Sequence, residues 1–296
     1  MSLLRERIKR YYLGDPSRKD FSENDLPHSR RALFVECLRS RWNVLPGLNL
    51  LYMVFALPEF LWTFFCLLSV FIGPTEHTVQ TDLPVLVIRY SFWLIPCHIF
   101  QGPARAGMMY VLRNWTRDEH SYTWLDFRDA MRANWKQACA IAFFEALVPF
   151  LICTSLSFYR TIAVSDKIMF IPFFLSFFIL LFWKLCEMLF YMQVVTYRLS
   201  VRTIIKNACM MTVMRLPLAA LVKLATIIVP CIIVLLILLF QNQALYFLIT
   251  LFLLSIFILP AFNGFLVASY ANSCCEEYLN PGIEGAEINI GLRKKK

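Results

Sequence analysis

Six long apolar runs divide this sequence, and each is long enough to cross a lipid bilayer as a helix. About 20 apolar residues in a helix match a hydrocarbon core of roughly 30 Å. Strands of about ten residues with alternating hydrophobicity, which would indicate a membrane barrel, do not occur. The sequence therefore predicts an all-α polytopic membrane protein with six transmembrane helices, at about 44–72, 84–101, 138–158, 168–196, 216–240 and 244–271.

Lys and Arg are concentrated in every second gap between the apolar runs. These gaps hold ten, six, four and four basic residues, at 1–43, 101–137, 197–215 and 273–296. Only Arg160 and Lys167 lie in the other three gaps, which are near 73–83, 159–167 and 241–243. Because basic loops tend to stay on the cytoplasmic side, this alternation predicts that both termini are cytoplasmic. The net charge of +9 then indicates contact with anionic lipid headgroups, and not with nucleic acid.

Three stretches of the chain share one plan, in which a basic amphipathic segment precedes a pair of spans. Apolar residues at helical spacing opposite Lys and Arg are typical of a helix in the membrane surface, and the three segments are 29–43, 122–137 and 199–211. The plan predicts three parallel two-helix units, each preceded by an interfacial amphipathic helix. The units are 29–121, 122–198 and 199–278, between a basic cytoplasmic N-terminal segment, 1–28, and a cytoplasmic tail, 279–296.

A proline lies late in the first span of each unit. These residues are Pro58, Pro149 and Pro230. Proline inside a helix frees a backbone carbonyl and bends the helix. Three bends at similar depth would open a shared cavity toward one side of the membrane.

Six Glu, Lys and Arg residues fall inside the apolar runs, where a lone charge costs about 2.5–3.5 kcal/mol. They are three acids and three bases: Glu59, Glu145, Glu187, Arg89, Lys184 and Lys223. Lys184 and Glu187 are three residues apart and can pair on one helix. Glu59 and Glu145 have no basic neighbour in the sequence, so they are either protonated or hydrogen-bonded packing residues, or part of a polar pocket or ion path. The candidate buried polar site consists of Glu59, Glu145, Lys184 and Glu187.

Motifs that would indicate catalysis or metal binding are missing from the sequence. It contains no GxSxG, HExxH or P-loop motif, and its four histidines are isolated. Most of the ten cysteines lie in the apolar runs and none forms a CxxC pair, which is typical of buried thiols. We therefore predict that the chain is not an enzyme, with no catalytic residue, cofactor, metal site or disulfide framework.

One group of short motifs resembles a known family. The motifs are Asn49-Leu50-Leu51 with Phe55 and Pro58, then Gly102-Pro103-Ala104 with Tyr110-Val111, then Asp126-Phe127 with Met131, Asn134 and Gln137. In this pattern, which is clearest over 102–138, the chain resembles the YesL-like family of bacterial integral membrane proteins, a domain of unknown function. The resemblance implies a bacterial plasma membrane location. It also implies a candidate functional surface, formed by Gly102, Pro103, Arg105, Asp126, Phe127, Asn134 and Gln137.

Arg105 is expected at the level of the lipid headgroups, because Pro103 would bend the helix as it leaves the bilayer. Two interpretations of this turn stay open. It forms either a tight helix crossing with a phosphate-contacting Arg105, or a docking surface for the cytoplasmic part of a partner.

Two functional hypotheses follow. Genes of the YesL-like family often lie beside genes for carbohydrate ABC importers and their sensor kinases. The resemblance therefore implies an accessory or scaffold protein of carbohydrate uptake or its regulation, with ABC importer or sensor kinase subunits as partners. The alternative, from the residues themselves, is a small membrane transporter or channel with a polar site between repeats, near Glu59 and Glu145.

Overall fold

The computed structural model describes residues 26–71, 79–286 and 288–293, and all regular secondary structure in these residues is helical. Short 3-10 turns join several of the α-helices. The α-helices are α1 (Arg30–Arg41), α2 (Leu45–Phe71), α3 (Val79–Thr116), α4 (Thr123–Ala163), α5 (Phe170–Cys186), α6 (Phe190–Thr196), α7 (Val201–Met214), α8 (Leu216–Leu239), α9 (Ala244–Phe257) and α10 (Leu259–Tyr278).

Several of these helices are long and apolar enough to cross a membrane, as expected of a multi-pass membrane protein. Within the described residues there are four, at Leu45–Phe71, Thr123–Ala163, Lys167–Thr196 and Leu216–Leu239. A bent pair, Gln241–Phe257 with Leu259–Gly282, adds a fifth if it is counted as one span. The predicted span 84–101 lies in α3, which is not among them. The prediction of six spans is therefore not confirmed.

The last predicted span, 244–271, is broken into α9 and α10, whose axes differ by 57°. Pro260 lies in the first turn of α10 and cannot supply a backbone N–H to the preceding turn. The side chain of Asn49, on α2, compensates for this break. Its amide nitrogen donates to the carbonyls of Ser255 (3.0 Å) and Ile256 (2.6 Å), and its oxygen accepts from the backbone N–H of Ala261 (2.7 Å).

The amphipathic segments take two different forms. The first and third segments are separate helices, α1 and α7, with Ser29 and Ser200 as their N-caps. The second, 122–137, is not a separate interfacial helix, because α4 runs without a break from Thr123 to Ala163. At 1.5 Å per residue its 41 residues span roughly 60 Å, so one end extends well beyond a hydrocarbon core of about 30 Å.

The two longest helices, α3 and α4, are joined by a short turn and pack closely against each other. Gly102 and Gly107 of α3 permit this approach. A Cβ atom on Gly102 would lie 2.8 Å from the carbonyl oxygen of Ala138, and one on Gly107 would lie 2.6 Å from that of Phe127. Large, fully buried side chains continue the core from this crossing; they include Trp115, Phe127, Phe190 and Phe265.

The segment after α10, predicted as a cytoplasmic tail, folds back on the helices where the structure describes it. The backbone N–H of Asn289 donates to the buried carboxylate of Glu276 (2.8 Å), which also pairs with Arg30 of α1. The backbone N–H of Arg293 donates to the carbonyl of Pro27 (3.1 Å). These contacts join both ends of the described chain at one face of the molecule.

Candidate functional site

Three charged residues from three different helices meet in the interior of the helical bundle. Arg105 of α3 lies between Glu145 of α4 and Glu59 of α2. One guanidinium nitrogen is 2.6 Å from the Oε2 atom of Glu145, and another is 3.5 Å from the Oε2 atom of Glu59. The two glutamates without basic neighbours in the sequence therefore share one arginine in the fold.

The position of Arg105 corrects the expectation that it contacts lipid headgroups. Its side chain is only 18% exposed and both of its ion pairs point into the bundle. The sequence placed it where the helix leaves the bilayer after the span 84–101, whereas α3 continues to Thr116. The apolar stretch that follows Arg105, Ala106 to Leu112, is the signal in the sequence that could have placed it inside a longer helix.

Polar side chains around Arg105 extend the three charges into a network. His98 Nδ1 lies 3.2 Å from Glu59 Oε2, and Tyr191 donates to Glu145 Oε2 at 3.1 Å. The Arg105 Nε donates to the hydroxyl of Tyr52 at 3.4 Å, and that hydroxyl donates to the Oε1 atom of Gln101 at 2.6 Å. We call Tyr52, Glu59, His98, Gln101, Arg105, Glu145 and Tyr191 the polar network.

A second pair of charges adjoins this network. The Lys184 ammonium lies 2.9 Å and 3.0 Å from the two carboxylate oxygens of Glu187, which confirms the pairing predicted from their spacing of three residues. Glu187 lies in the 3-10 turn that follows α5. Glu187 also interacts electrostatically with Glu145 and with Lys223 of α8. The polar network and this pair together contain three acids, Glu59, Glu145 and Glu187, and two bases that form ion pairs with them, Arg105 and Lys184.

A cavity of about 430 Å³ opens beside the polar network. Its volume falls in the range of roughly 300–1,000 Å³ that small-molecule sites occupy. Helices α2, α3, α8, α9 and α10 contribute to its walls. The lining residues include Tyr52, Glu59, Thr63, Tyr90, Gln101, Pro230 and Phe252. Of the three prolines that were expected to open a cavity, Pro230 lines it and Pro58 immediately precedes Glu59, whereas Pro149 is not in its wall.

The other residues of the predicted functional surface do not lie together. The carboxylate of Asp126 accepts from Ser121 Oγ (2.6 Å) and the backbone N–H of Tyr122 (2.9 Å), which holds the start of α4. Phe127 is fully buried and packs against Gly107, and Gly102 lies in the same α3–α4 crossing, one residue before Pro103.

Asn134 and Gln137 occupy a different place, in a surface groove of about 700 Å³. The side-chain nitrogen of Gln137 donates to the carbonyl of Leu199, and that of Asn134 donates to the carbonyl of Ala130 (2.9 Å). Lys136 and Arg198 also line the groove. The residues of the predicted surface therefore lie in four different places. Gly102 and Phe127 lie at the α3–α4 crossing, Asp126 at the start of α4, Arg105 in the polar network, and Asn134 and Gln137 in the basic groove.

Within the described residues, no group of three or more His, Cys, Asp or Glu side chains is placed so that it could hold a metal ion.

Replacing Gly107 with Ala is expected to lower the free energy of unfolding by about 1–3 kcal/mol, the usual cost of overpacking. The added methyl group would contact the Phe127 carbonyl and ring, at 2.6 Å and 3.2 Å. Gly47→Ala on α2 is the matched control, because nothing lies within 4 Å of its added Cβ. Thermal unfolding in detergent measures both variants, and equal melting temperatures would refute the tight crossing.

Comparison with known proteins gives a family match over part of the chain. Residues 47–156 match the model of a family described as "Protein of unknown function, DUF624". This range contains Glu59, Arg105 and Glu145, together with the α3–α4 crossing, and it ends before Lys184. No curated protein and no solved structure matches the chain. Part of the chain, including the centre of the polar network, is therefore similar to a family of proteins of unknown function.

Proposed function

We propose that the protein is a small membrane transporter or channel whose solute site is the cavity beside the polar network. The observation that carries this proposal is the position of Glu59, which interacts with Arg105 and also lines a cavity of about 430 Å³. Ionisable residues at membrane depth are costly, and they usually face a binding site or a pathway. A dry, fully packed interior around Glu59 would have favoured a purely structural role.

The two glutamates have different roles in this proposal. Glu145 lies closest to Arg105 and also accepts a hydrogen bond from Tyr191, so it anchors the guanidinium. Glu59 is farther from Arg105, its side chain is 24% exposed, and it faces the cavity. Glu59 is therefore the acid that would contact a solute.

The proposed topology keeps six spans in three parallel units, with both termini in the cytoplasm. Under this proposal α3 is the additional span. The hydropathy of α3 is lower than that of the four candidate spans because it carries His98, Gln101 and Arg105. In this proposal these side chains face the polar network and not lipid. With 38 residues, α3 is long enough to cross a hydrocarbon core of roughly 30 Å.

A second candidate function is an accessory or scaffold role in carbohydrate uptake or its regulation, in a bacterial plasma membrane. It is supported by the YesL-like pattern at 102–138 and by the basic groove that contains Asn134 and Gln137. An ABC importer or sensor kinase subunit would then dock on that groove. Recovery of such a subunit when the chain is purified from its native membrane would support this role.

Cysteine accessibility distinguishes the two candidates. Thr63 lines the cavity one turn from Glu59, and a transporter or channel exposes this position to water on each side of the membrane. We expect a charged, membrane-impermeant methanethiosulfonate to modify Thr63→Cys in intact cells and in inverted vesicles. Mass spectrometry of the peptide separates this cysteine from the native ones.

The control is Gln243→Cys, which lies in an exposed turn between α8 and α9. It should react from one face only. Modification of position 63 from neither face, or from the same single face as position 243, would overturn the proposed passage of solute.

A further inference from the structure

Two cysteines from different helices lie in contact outside the polar network. The thiol of Cys186, at the end of α5, donates a hydrogen bond to the sulfur of Cys209 on α7, and the two sulfur atoms are 3.8 Å apart. Both are free thiols, and they lie 23 positions apart in the sequence. The packing of α5 against α7 therefore forms a pair that the spacing of the cysteines in the sequence does not indicate. We call Cys186 and Cys209 the thiol pair.

The two members of the thiol pair differ in their access to solvent. Cys186 is fully buried, whereas Cys209 is partly exposed. Cys209 lies on α7, which falls between the candidate spans Lys167–Thr196 and Leu216–Leu239. It is therefore the thiol that an oxidant from the aqueous phase reaches first.

The hydrogen bond between the two thiols favours the reactive form of Cys209. The thiolate, and not the thiol, is the nucleophile in cysteine oxidation. Because Cys186 donates to the Cys209 sulfur, it stabilises the thiolate and lowers the pKa of Cys209, and this effect is larger than the opposite effect of partial burial. An accessible cysteine of low pKa beside a second cysteine is typical of redox-sensing sites.

We propose that the thiol pair is an oxidation site for hydrogen peroxide, at which Cys209 is attacked first and Cys186 then closes a disulfide. The Cys209 thiolate attacks one peroxide oxygen and the O–O bond breaks, which gives a sulfenic acid at Cys209. The other oxygen leaves as water, with the proton that the Cys209 thiol had released. The Cys186 sulfur then attacks the Cys209 sulfur; the S–S bond forms, the S–O bond breaks, and a second water leaves with the Cys186 proton. Two thiols and one peroxide thus give one disulfide and two waters.

The disulfide would join α7 to the end of α5. The sulfur atoms, now 3.8 Å apart, must approach by roughly 1.8 Å to reach a bond length of about 2.05 Å, which rotation of the two side chains can supply. Under the proposed topology α7 lies on the cytoplasmic side, where disulfides are usually transient and redox-sensing. This inference does not depend on the proposed transport function.

Mass spectrometry without reduction tests the bond on the intact chain in nanodiscs. The protein is treated with hydrogen peroxide, unfolded, blocked with N-ethylmaleimide and digested with trypsin. Cleavage after Arg198, Arg202 or Lys206 separates the two cysteines, so their disulfide is detected as two joined peptides. We expect this product, and its disappearance after dithiothreitol. Oxidation that leaves both thiols free, or that joins either of them to a different cysteine, would overturn the proposal.

Cys139 is the matched control within the same chain. It is also partly exposed, but its sulfur contacts the carbonyl oxygen of Ile99, at 3.6 Å, and not a thiol. We expect Cys209 to lose its reactivity with N-ethylmaleimide at least ten times faster than Cys139 during peroxide treatment. Equal rates for the two cysteines would show that the thiol pair has no special reactivity, and would contradict the proposal.

Dimedone, which labels sulfenic acids, tests the separate roles of the two cysteines. Cys186→Ser keeps a hydrogen-bond donor beside Cys209 but cannot form the disulfide, so dimedone should label Cys209 at least tenfold more than in the natural chain. In Cys209→Ser, labelling of Cys186 should be at least tenfold lower than that. Equal labelling of Cys209 with and without Cys186 would refute the proposed order of steps. If either variant does not fold, the disulfide map of the natural chain still decides whether the bond forms.

Discussion

Replacing Arg105 with Leu is expected to lower the free energy of unfolding by about 3–5 kcal/mol. The substitution removes the cation that two glutamates share. It leaves Glu145, whose side chain is 8% exposed, as a buried charge without a cationic partner at ion-pair distance among the residues that the structure describes. Removing one partner of a buried ion pair, while the other stays buried, has a cost of this size. Thermal unfolding in detergent, followed by tryptophan fluorescence, measures the loss.

Two further variants separate the buried charge from a general loss of packing. Arg128→Leu removes an arginine that pairs with the neighbouring, exposed Asp129, and it should cost less than about 1 kcal/mol. The double variant Arg105→Leu with Glu145→Leu should recover much of the stability, because no unpaired carboxylate remains at position 145. If Arg105→Leu unfolds at the same temperature as Arg128→Leu, the buried network does not exist as described.

Replacing Asn49 with Leu is expected to cost on the order of 3 kcal/mol. Its side chain holds three backbone groups at the break between α9 and α10, namely the carbonyls of Ser255 and Ile256 and the N–H of Ala261. Each buried group left without a partner costs about 1–3 kcal/mol, and lipid offers no replacement for the lost bonds. Thermal unfolding and limited proteolysis near residue 258 detect the effect.

Asn242→Leu provides the matched control for this prediction. Asn242 is exposed in the turn between α8 and α9, and its replacement should change stability by less than about 0.5 kcal/mol. Asn49→Asp should cost at least as much as Asn49→Leu, because its buried carboxylate can accept from Ala261 but would also face the two carbonyl oxygens to which it cannot donate. Equal stability of Asn49→Leu and Asn242→Leu would show that the helix break does not depend on this amide.

The sequence predicted the class of the fold because hydrophobicity over 20 residues is a strong local signal. It also identified Glu59 and Glu145 as unusual, and the pairing of Lys184 with Glu187, since these depend on neighbours along the chain. It did not identify Arg105 as their partner. That contact joins residues 40 or more positions apart, and it depends on how three helices pack.

Two helix boundaries differed from prediction for local reasons. Residues 122–137 have the periodicity of an amphipathic helix, but neither Gly nor Pro follows them before Pro149, so α4 continues directly into its apolar part. The run 244–271 is apolar throughout, so its hydropathy does not predict the break between α9 and α10. Pro260 was the available signal, and the role of Asn49 as its hydrogen-bonding partner required the packing of α2 against α9 and α10.

The most direct test is whether the cavity beside the polar network holds a ligand within the membrane. A high-resolution cryo-electron microscopy map of the chain in lipid nanodiscs answers this. We expect non-protein density in the cavity, in contact with Glu59 and with lining residues such as Thr63 and Phe252. Side chains of Phe60, Phe64 and Phe252 that close the cavity, with no density beside Glu59, would contradict the proposed site.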